Sequence, residues 1–217
     1  MWRQISIAHS EDTDECSQRL DDLESLEALY GEPAPTSLSK VSTSITPKYR
    51  QWIDASNFLI LSTAGSGGTD ASPRGDDSNV VEIVDSKTIL MPDWKGNNRL
   101  DSLKNIVENG QASLLFMVGG CDNVVRVNGT AYLSLDPKTI SRFSKNGVEP
   151  KCAIVVTVGE IYFQCAEALM RSKLWVSGRE RNTEVPTAGQ FLKEADSSFE
   201  GDAYDAGYAE NSKARMW

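Results

Sequence analysis

Four arginines stand beside glycine, asparagine or serine. They are Arg74 in Ser72-Pro73-Arg74-Gly75-Asp76, Arg99 in Gly96-Asn97-Asn98-Arg99, Arg126 in Arg126-Val127-Asn128-Gly129, and Arg171 in Met170-Arg171-Ser172. A guanidinium presents a rigid fork of donors suited to phosphate, and small neighbours let backbone amides approach an anion closely. Gly96-Asn97-Asn98-Arg99 runs directly into a helical pattern that begins at Leu100. A helix start offers unpaired amides and the positive end of the helix dipole, so the phosphate of a ligand is best placed there. The competing reading is local: Asn97 or Asn98 caps the helix, and Arg99 pairs with Asp101 or Asp93 on the surface. Other motifs carry less. Arg74-Gly75-Asp76 has the letters of an adhesion tripeptide, Asn128-Gly129-Thr130 fits a glycosylation acceptor but falls inside a predicted strand, and Gly65-Ser66-Gly67-Gly68 lacks the lysine of a phosphate loop. Trp94 and Trp175 could stack on a planar ring, although such residues more often anchor cores.

The elements that would position these residues follow from periodicity. Leu20, Leu23, Leu26 and Leu29 predict a helix over 18–30 stopped by Gly31, an amphipathic arm that docks on the body or on a partner subunit. Residues 32–44 read as a connector. Thr46-Pro47 then starts a helix that should bury Trp52 and Ile53. From residue 57 the period changes, and strands are predicted over 58–62, 80–84, 88–91, 112–118, 124–134, 152–158 and 160–164. Short helices fall over 100–108, 137–144 and 166–175. The crossovers are too few and too short for a parallel sheet, so the fold class is mainly β (α+β), antiparallel, with helices outside.

Composition narrows the function. Of 217 residues, 40% are hydrophobic and 24% charged, as in an ordinary globular chain. The net charge of −9 belongs to the ends. Residues 1–27 hold eight acids and two bases, residues 194–217 six and two, and the stretch between them 17 and 18. No basic stripe suggests nucleic acid, no apolar run is long enough for a membrane span, and the N-terminus does not read as a secretory signal. The expected compartment is cytoplasmic. Cys16, Cys121, Cys152 and Cys165 form no C-x-x-C pair, and His9 is the only histidine. Disulfide frameworks, metal centres and histidine-based nucleophile systems are therefore not expected.

Taken together, the motifs resemble the pyridoxamine 5′-phosphate oxidase-like, FMN-binding split-barrel proteins. The resemblance rests on Ser72–Asp76, on Pro92-Asp93-Trp94-Lys95-Gly96-Asn97-Asn98-Arg99-Leu100-Asp101-Ser102, on Leu114-Leu115-Phe116, on Arg126–Gly129, and on Cys165 through Arg171-Ser172-Lys173-Leu174-Trp175. It implies a six-stranded antiparallel split β-barrel over residues 45–176. Residues 1–44 would form a helical arm and connector, and 177–217 an acidic extension. It further implies a homodimer with FMN in clefts at the subunit interface. Ser72, Arg74, Gly75 and Asp76 would run along the isoalloxazine ring, and Asn97, Asn98 and Arg99 would hold the phosphate. Arg126 and Asn128 would lie near the dimer seam, facing the partner's flavin, while Arg171, Ser172 and Trp175 would close the cleft.

One segment departs from the pattern. Relatives usually carry histidine before the cysteine and lysine two residues after it, where this chain has Gln164-Cys165-Ala166-Glu167. A carboxylate there would repel a phosphate or a reduced flavin. The resemblance implies an FMN-dependent oxidoreductase acting on a small molecule, with Arg74 or Arg171 supplying charge at the N1–C2=O edge and no general acid or base identified. The alternatives are a non-catalytic flavin-binding redox sensor or carrier, and a cleft holding haem or a deazaflavin.

Overall fold

A computed structural model describes residues 19–175 and 185–213. His9, Cys16, the start of the first predicted helix and part of the acidic extension fall outside them. The chain divides into two compact units, one reaching Ser39 and the other beginning at Lys40. In the first, α1 (Leu23–Tyr30) is capped by Asp22, whose carboxylate accepts from the Ser25 amide, and it is stopped by Gly31 at φ 70°. This is the predicted helix shortened to its last two turns. It is followed by α2 (Pro35–Ser39).

The second unit is built on one antiparallel sheet. It opens with α3 (Pro47–Asp54), where Thr46 caps, proline takes the first turn and Ile53 is fully buried as expected. Then come β1 (Phe58–Gly65), β2 (Gly68–Gly75), β3 (Glu82–Ile83), β4 (Thr88–Asp93), α4 (Asp101–Asn109), β5 (Gln111–Met117) and β6 (Val124–Ser134). After α5 (Pro137–Ile140) and a single 3₁₀ turn, β7 (Cys152–Gln164) completes the sheet. Three helices follow: α6 (Glu167–Ser172), α7 (Ala188–Ala195) and α8 (Gly201–Lys213).

Seven strands, not six, form the sheet, in the order β2-β1-β5-β6-β7-β4-β3. Two corrections to the strand boundaries have physical causes. Periodicity missed β2 because Gly-Thr-Asp-Ala-Ser-Pro-Arg-Gly has no apolar face. It is an edge strand paired only with β1, where Pro73 loses no ladder bond. Conversely, the two strands predicted on either side of Gly159 are one. The ladder with β6 shifts between Asn128 and Gly129, so Gly159 is the extra residue of a bulge. Glycine is required at 129, because a Cβ there would collide with the Thr157 carbonyl oxygen.

The inner faces of these strands converge on one core, with Leu59, Leu61, Leu114, Phe116, Val127, Ile154, Val156 and Ile161 almost fully buried. Backbone pairing does not close the sheet: β2 and β3 are its two edges. The sheet nevertheless curls until β2 faces β4, near the far end of the ladder, and Arg74 of β2 reaches Asp93 at the end of β4. A seam is left between them. No described helix is long and apolar enough to cross a membrane.

Candidate functional site

The seam holds a cleft of about 580 Å³, bounded by residues 70–74 of β2 on one side and by Asp93, Trp94 and 96–103 on the other. It runs on, past Pro73, Arg74, Trp94 and Gly96, into a second chamber of about 510 Å³ walled by Gly75, Asp76 and Val80. Five of the sequence candidates thus meet in the first space: Ser72, Arg74, Asn97, Asn98 and Arg99. Gly75 and Asp76 belong to the second.

The loop at 96–100 is held in an unusual shape. Asn98 (φ 59°) and Leu100 (φ 65°) both adopt the left-handed conformation without being glycine, at a cost of roughly 1–3 kcal/mol each. Leu100 occupies the N-cap of α4 and gives it no side-chain cap, so the first-turn amides lack the usual acceptor. The local pairings foreseen as the competing reading are partly present. The Asn97 side chain accepts from the Arg99 amide at 3.0 Å, and Arg99 donates to Asp101. Arg99 remains 68% exposed. Asp93, the other acid of that reading, pairs with Arg74, Nη1 to Oδ1 at 2.6 Å.

Lys151, which the motifs did not single out, lines the same cleft and donates to Asn98 Oδ1 at 3.2 Å. It pairs with no carboxylate among the described residues. Its place follows from register: Asp93 lies opposite Cys152, and the Lys151 amide donates to the Asp93 carbonyl at 3.1 Å. Only the finished sheet brings it to the loop. Asp70 was missed as well, and its carboxylate accepts from the buried Ser102 hydroxyl. That bond is one of three polar ties fixing α4 across the β1–β2 hairpin. Asn105 donates to the Thr63 hydroxyl at 3.1 Å, and Glu108 accepts from the Ser66 amide at 2.7 Å. The amide and hydroxyl of Ser66 lower the Glu108 carboxyl below its ordinary range. Positions 102, 105 and 108 share one face of the helix, so the hairpin aims the α4 start at the cleft.

Asp76 walls the second chamber, and the other five candidates, Arg126, Asn128, Arg171, Ser172 and Trp175, lie elsewhere in this chain. Asp76 is locked by Lys145 and by the Ser78 amide and hydroxyl. Burial alone would raise its carboxyl, but these donors outweigh burial and lower it. Arg126 and Asn128 stand on the outer face of β6. Arg126 donates to Tyr162 and Gln164, and Asn128 bridges Ser113 and Glu160. Arg171 pairs with Glu167 at 3.3 Å on exposed α6, and Glu167, the charge expected to trouble the cleft, does not line it in this chain. Ser172 bonds to the Leu169 carbonyl, and the Trp175 indole donates to the Cys121 carbonyl. None of these five lines the seam cleft.

A model of the family described as pyridoxamine 5′-phosphate oxidase matches residues 45–165, more than half of the chain. The chain belongs to this family. No curated protein matches it. Among solved structures, HupZ from Group A Streptococcus is similar at 18% identity, over 54% of this chain and 91% of that one, with a TM-score of 0.45. An FMN-binding protein from Syntrophomonas wolfei is similar at 15% identity, over 66% and 97%, with a TM-score of 0.40. An FAD-binding protein from Mycobacterium smegmatis is similar at 13%, over 57% and 97%, with a TM-score of 0.38. Likenesses this distant decide nothing about the site, and membership rests on the match over 45–165.

The donor set of the cleft fits a phosphate-bearing planar ligand. At one end, an uncapped helix start, Arg99 and Lys151 suit an anion. At the other, Arg74 and Trp94 flank a second space suited to a ring. Each acid of the first chamber has a partner: Asp93 has Arg74, Asp101 has Arg99 and Asp70 has Ser102.

Proposed function

We propose that the protein binds FMN in the seam cleft and acts as an FMN-dependent oxidoreductase on a small molecule. The observation that carries this reading is the strained Gly96–Leu100 loop at the uncapped start of α4, with Arg99 and Lys151 beside it, in a chain of the pyridoxamine 5′-phosphate oxidase family. Asn97, Asn98, Arg99 and Lys151 would hold the phosphate. Ser72 and Arg74 would border the ring, and Trp94 would limit water access. Bound FMN would supply hydride or electron transfer at its ring, and the protein position and electrostatics. On this reading the curled, open sheet is the split barrel.

Two identical chains would complete the site. Phe58 and Ile60 of β1 stand opposite Met117 and Leu115 of β5 on the outer sheet face. These four half-buried apolar side chains lie beside Arg126, so a homodimer formed on this face would bring Arg126 and Asn128 toward the partner's cleft.

A second reading, a non-catalytic flavin carrier, is favoured by the first chamber, where Asp93, Asp101 and Asp70 each already hold a partner. One series of measurements separates the readings. The visible spectrum of the purified protein and chromatography of the released chromophore test for FMN, and a colourless protein that takes up no added FMN overturns both. Rapid mixing with NADH or NADPH, then with oxygen, tests turnover, and failure of either nucleotide to bleach bound FMN favours the carrier.

A further inference from the structure

Arg74 and Asp93 come from strands near opposite ends of the ladder, yet their side chains meet at 2.6 Å and are only 20% and 12% exposed. No backbone pairing joins β2 to β4, so this ion pair is a side-chain latch across the seam. The Arg74 guanidinium is held through Nη1 on Asp93, and its Nε is sealed from solvent with no hydrogen-bond partner. What stays exposed opens onto the two chambers that Arg74 lines. Asp93 is fixed in turn, because it closes β4 and its carbonyl accepts from the Lys151 amide.

A guanidinium in contact with a carboxylate presents a ligand with a dipole, whose field falls off faster than that of a lone charge. We infer that Asp93 is a positioning residue: it orients Arg74 across the seam and cancels its charge, so the ring end of the cleft offers a bound flavin a hydrogen-bond donor without net positive charge. The inference rests on the flavin reading above and changes one part of what the sequence implied. Arg74 borders the ring but does not act as the charge that stabilises its reduced anion.

The protein carries a reporter for this pair. Cys152 is buried opposite Asp93. Burial pushes its thiol up, the Asp93 charge adds to that, and Arg74 opposes it.

The test uses the full chain with Asp93→Asn, Arg74→Gln and the double variant. In flavin-free protein, ionisation of Cys152 is followed by NMR of labelled cysteine, assigned with Cys152→Ser. The thiol should ionise at lower pH in Asp93→Asn and at higher pH in Arg74→Gln, with the double variant between them. With FMN bound, Asp93→Asn should favour the reduced form about tenfold, a rise of about 30 mV for a two-electron couple. Arg74→Gln should lower the potential, and the double variant should return toward the parent value. An unchanged or lower potential in Asp93→Asn with FMN still bound overturns the inference and leaves the flavin reading standing. A protein that takes up no FMN overturns the flavin reading, and the thiol titration then decides charge cancellation by itself, with identical curves overturning it. Should Asp93→Asn fail to fold, Arg74→Gln carries both measurements with the opposite sign.

Discussion

At the scale of single residues, the cleft separates side chains that can bind from those already spent. Arg99 is exposed and pairs with its near neighbour Asp101, so a phosphate can recruit it. Arg99→Ala should weaken FMN binding by about 1.5–3 kcal/mol, the range of a charge-assisted hydrogen bond. Lys151→Ala should do the same, and neither should alter riboflavin binding, which lacks the phosphate. Fluorescence titration with both ligands checks this, and equal losses for the two would move the phosphate elsewhere. Asp76 serves stability instead. Its carboxyl is lowered in the folded chain, so its contribution is present above the ordinary aspartate value of about 3.9 and is lost as pH falls through the lowered folded value. Asp76→Asn should therefore cost about 1–3 kcal/mol near neutrality, and the difference in thermal midpoint should shrink as pH falls below about 4. Of these residues, sequence motifs disclosed Arg99 and Arg74. Lys151 was invisible because its motif value depends on which strand lies opposite it, and the pairing of Asp76 was hidden because Lys145, 69 positions away in sequence, gives no local signal.

At the scale of elements, α4 is the part that must be aimed, and the β1–β2 hairpin aims it. Gly65 lies under the helix, where an added Cβ would collide with Asn105 Oδ1 and fall 2.7 Å from Glu108 Oε2. Gly65→Ala should cost about 1–3 kcal/mol of stability and also weaken FMN binding, because it lifts the helix from the tie that fixes its start. Asn105→Ala removes a buried tie without a clash and should show the binding loss with a smaller change in melting. Thermal melts alongside FMN titrations separate the two effects. Most elements could be read in advance: the Thr46-Pro47 start of α3, the Gly31 stop of α1 and the apolar runs of β1, β5 and β6 each have a local cause. The exception is β2, half of the cleft wall. An edge strand with one partner and no buried face needs no hydrophobic alternation, so the period that reveals the other strands is missing from it.

At the scale of the whole molecule, the candidate residues outside α6 and Trp175 fall into two sets on different parts of one sheet: the seam cleft, and the outer face with Arg126 and Asn128. The resemblance implied both sets and put Arg126 and Asn128 near a dimer seam, although sequence order does not record which face of a strand meets which copy of the chain. If a second copy joins the sets, Ile60→Arg should convert a dimer to a monomer and weaken FMN binding with little change in folding, as ultracentrifugation and FMN titration would show. A parent protein that sediments as a monomer while binding FMN tightly would sink the dimer. The open seam has one further consequence. A sheet closed by hydrogen bonds has a girth fixed by strand number and stagger, whereas this one is buckled by two side chains. Its circumference can therefore change by rotamer, and a ligand in the seam acts as the missing hoop. Amides of residues 68–75 and 88–93, distant in sequence, should slow their hydrogen exchange together when the cleft fills, and substitutions at 74 and 93 should loosen both at once while leaving the β5–β6 ladder unchanged.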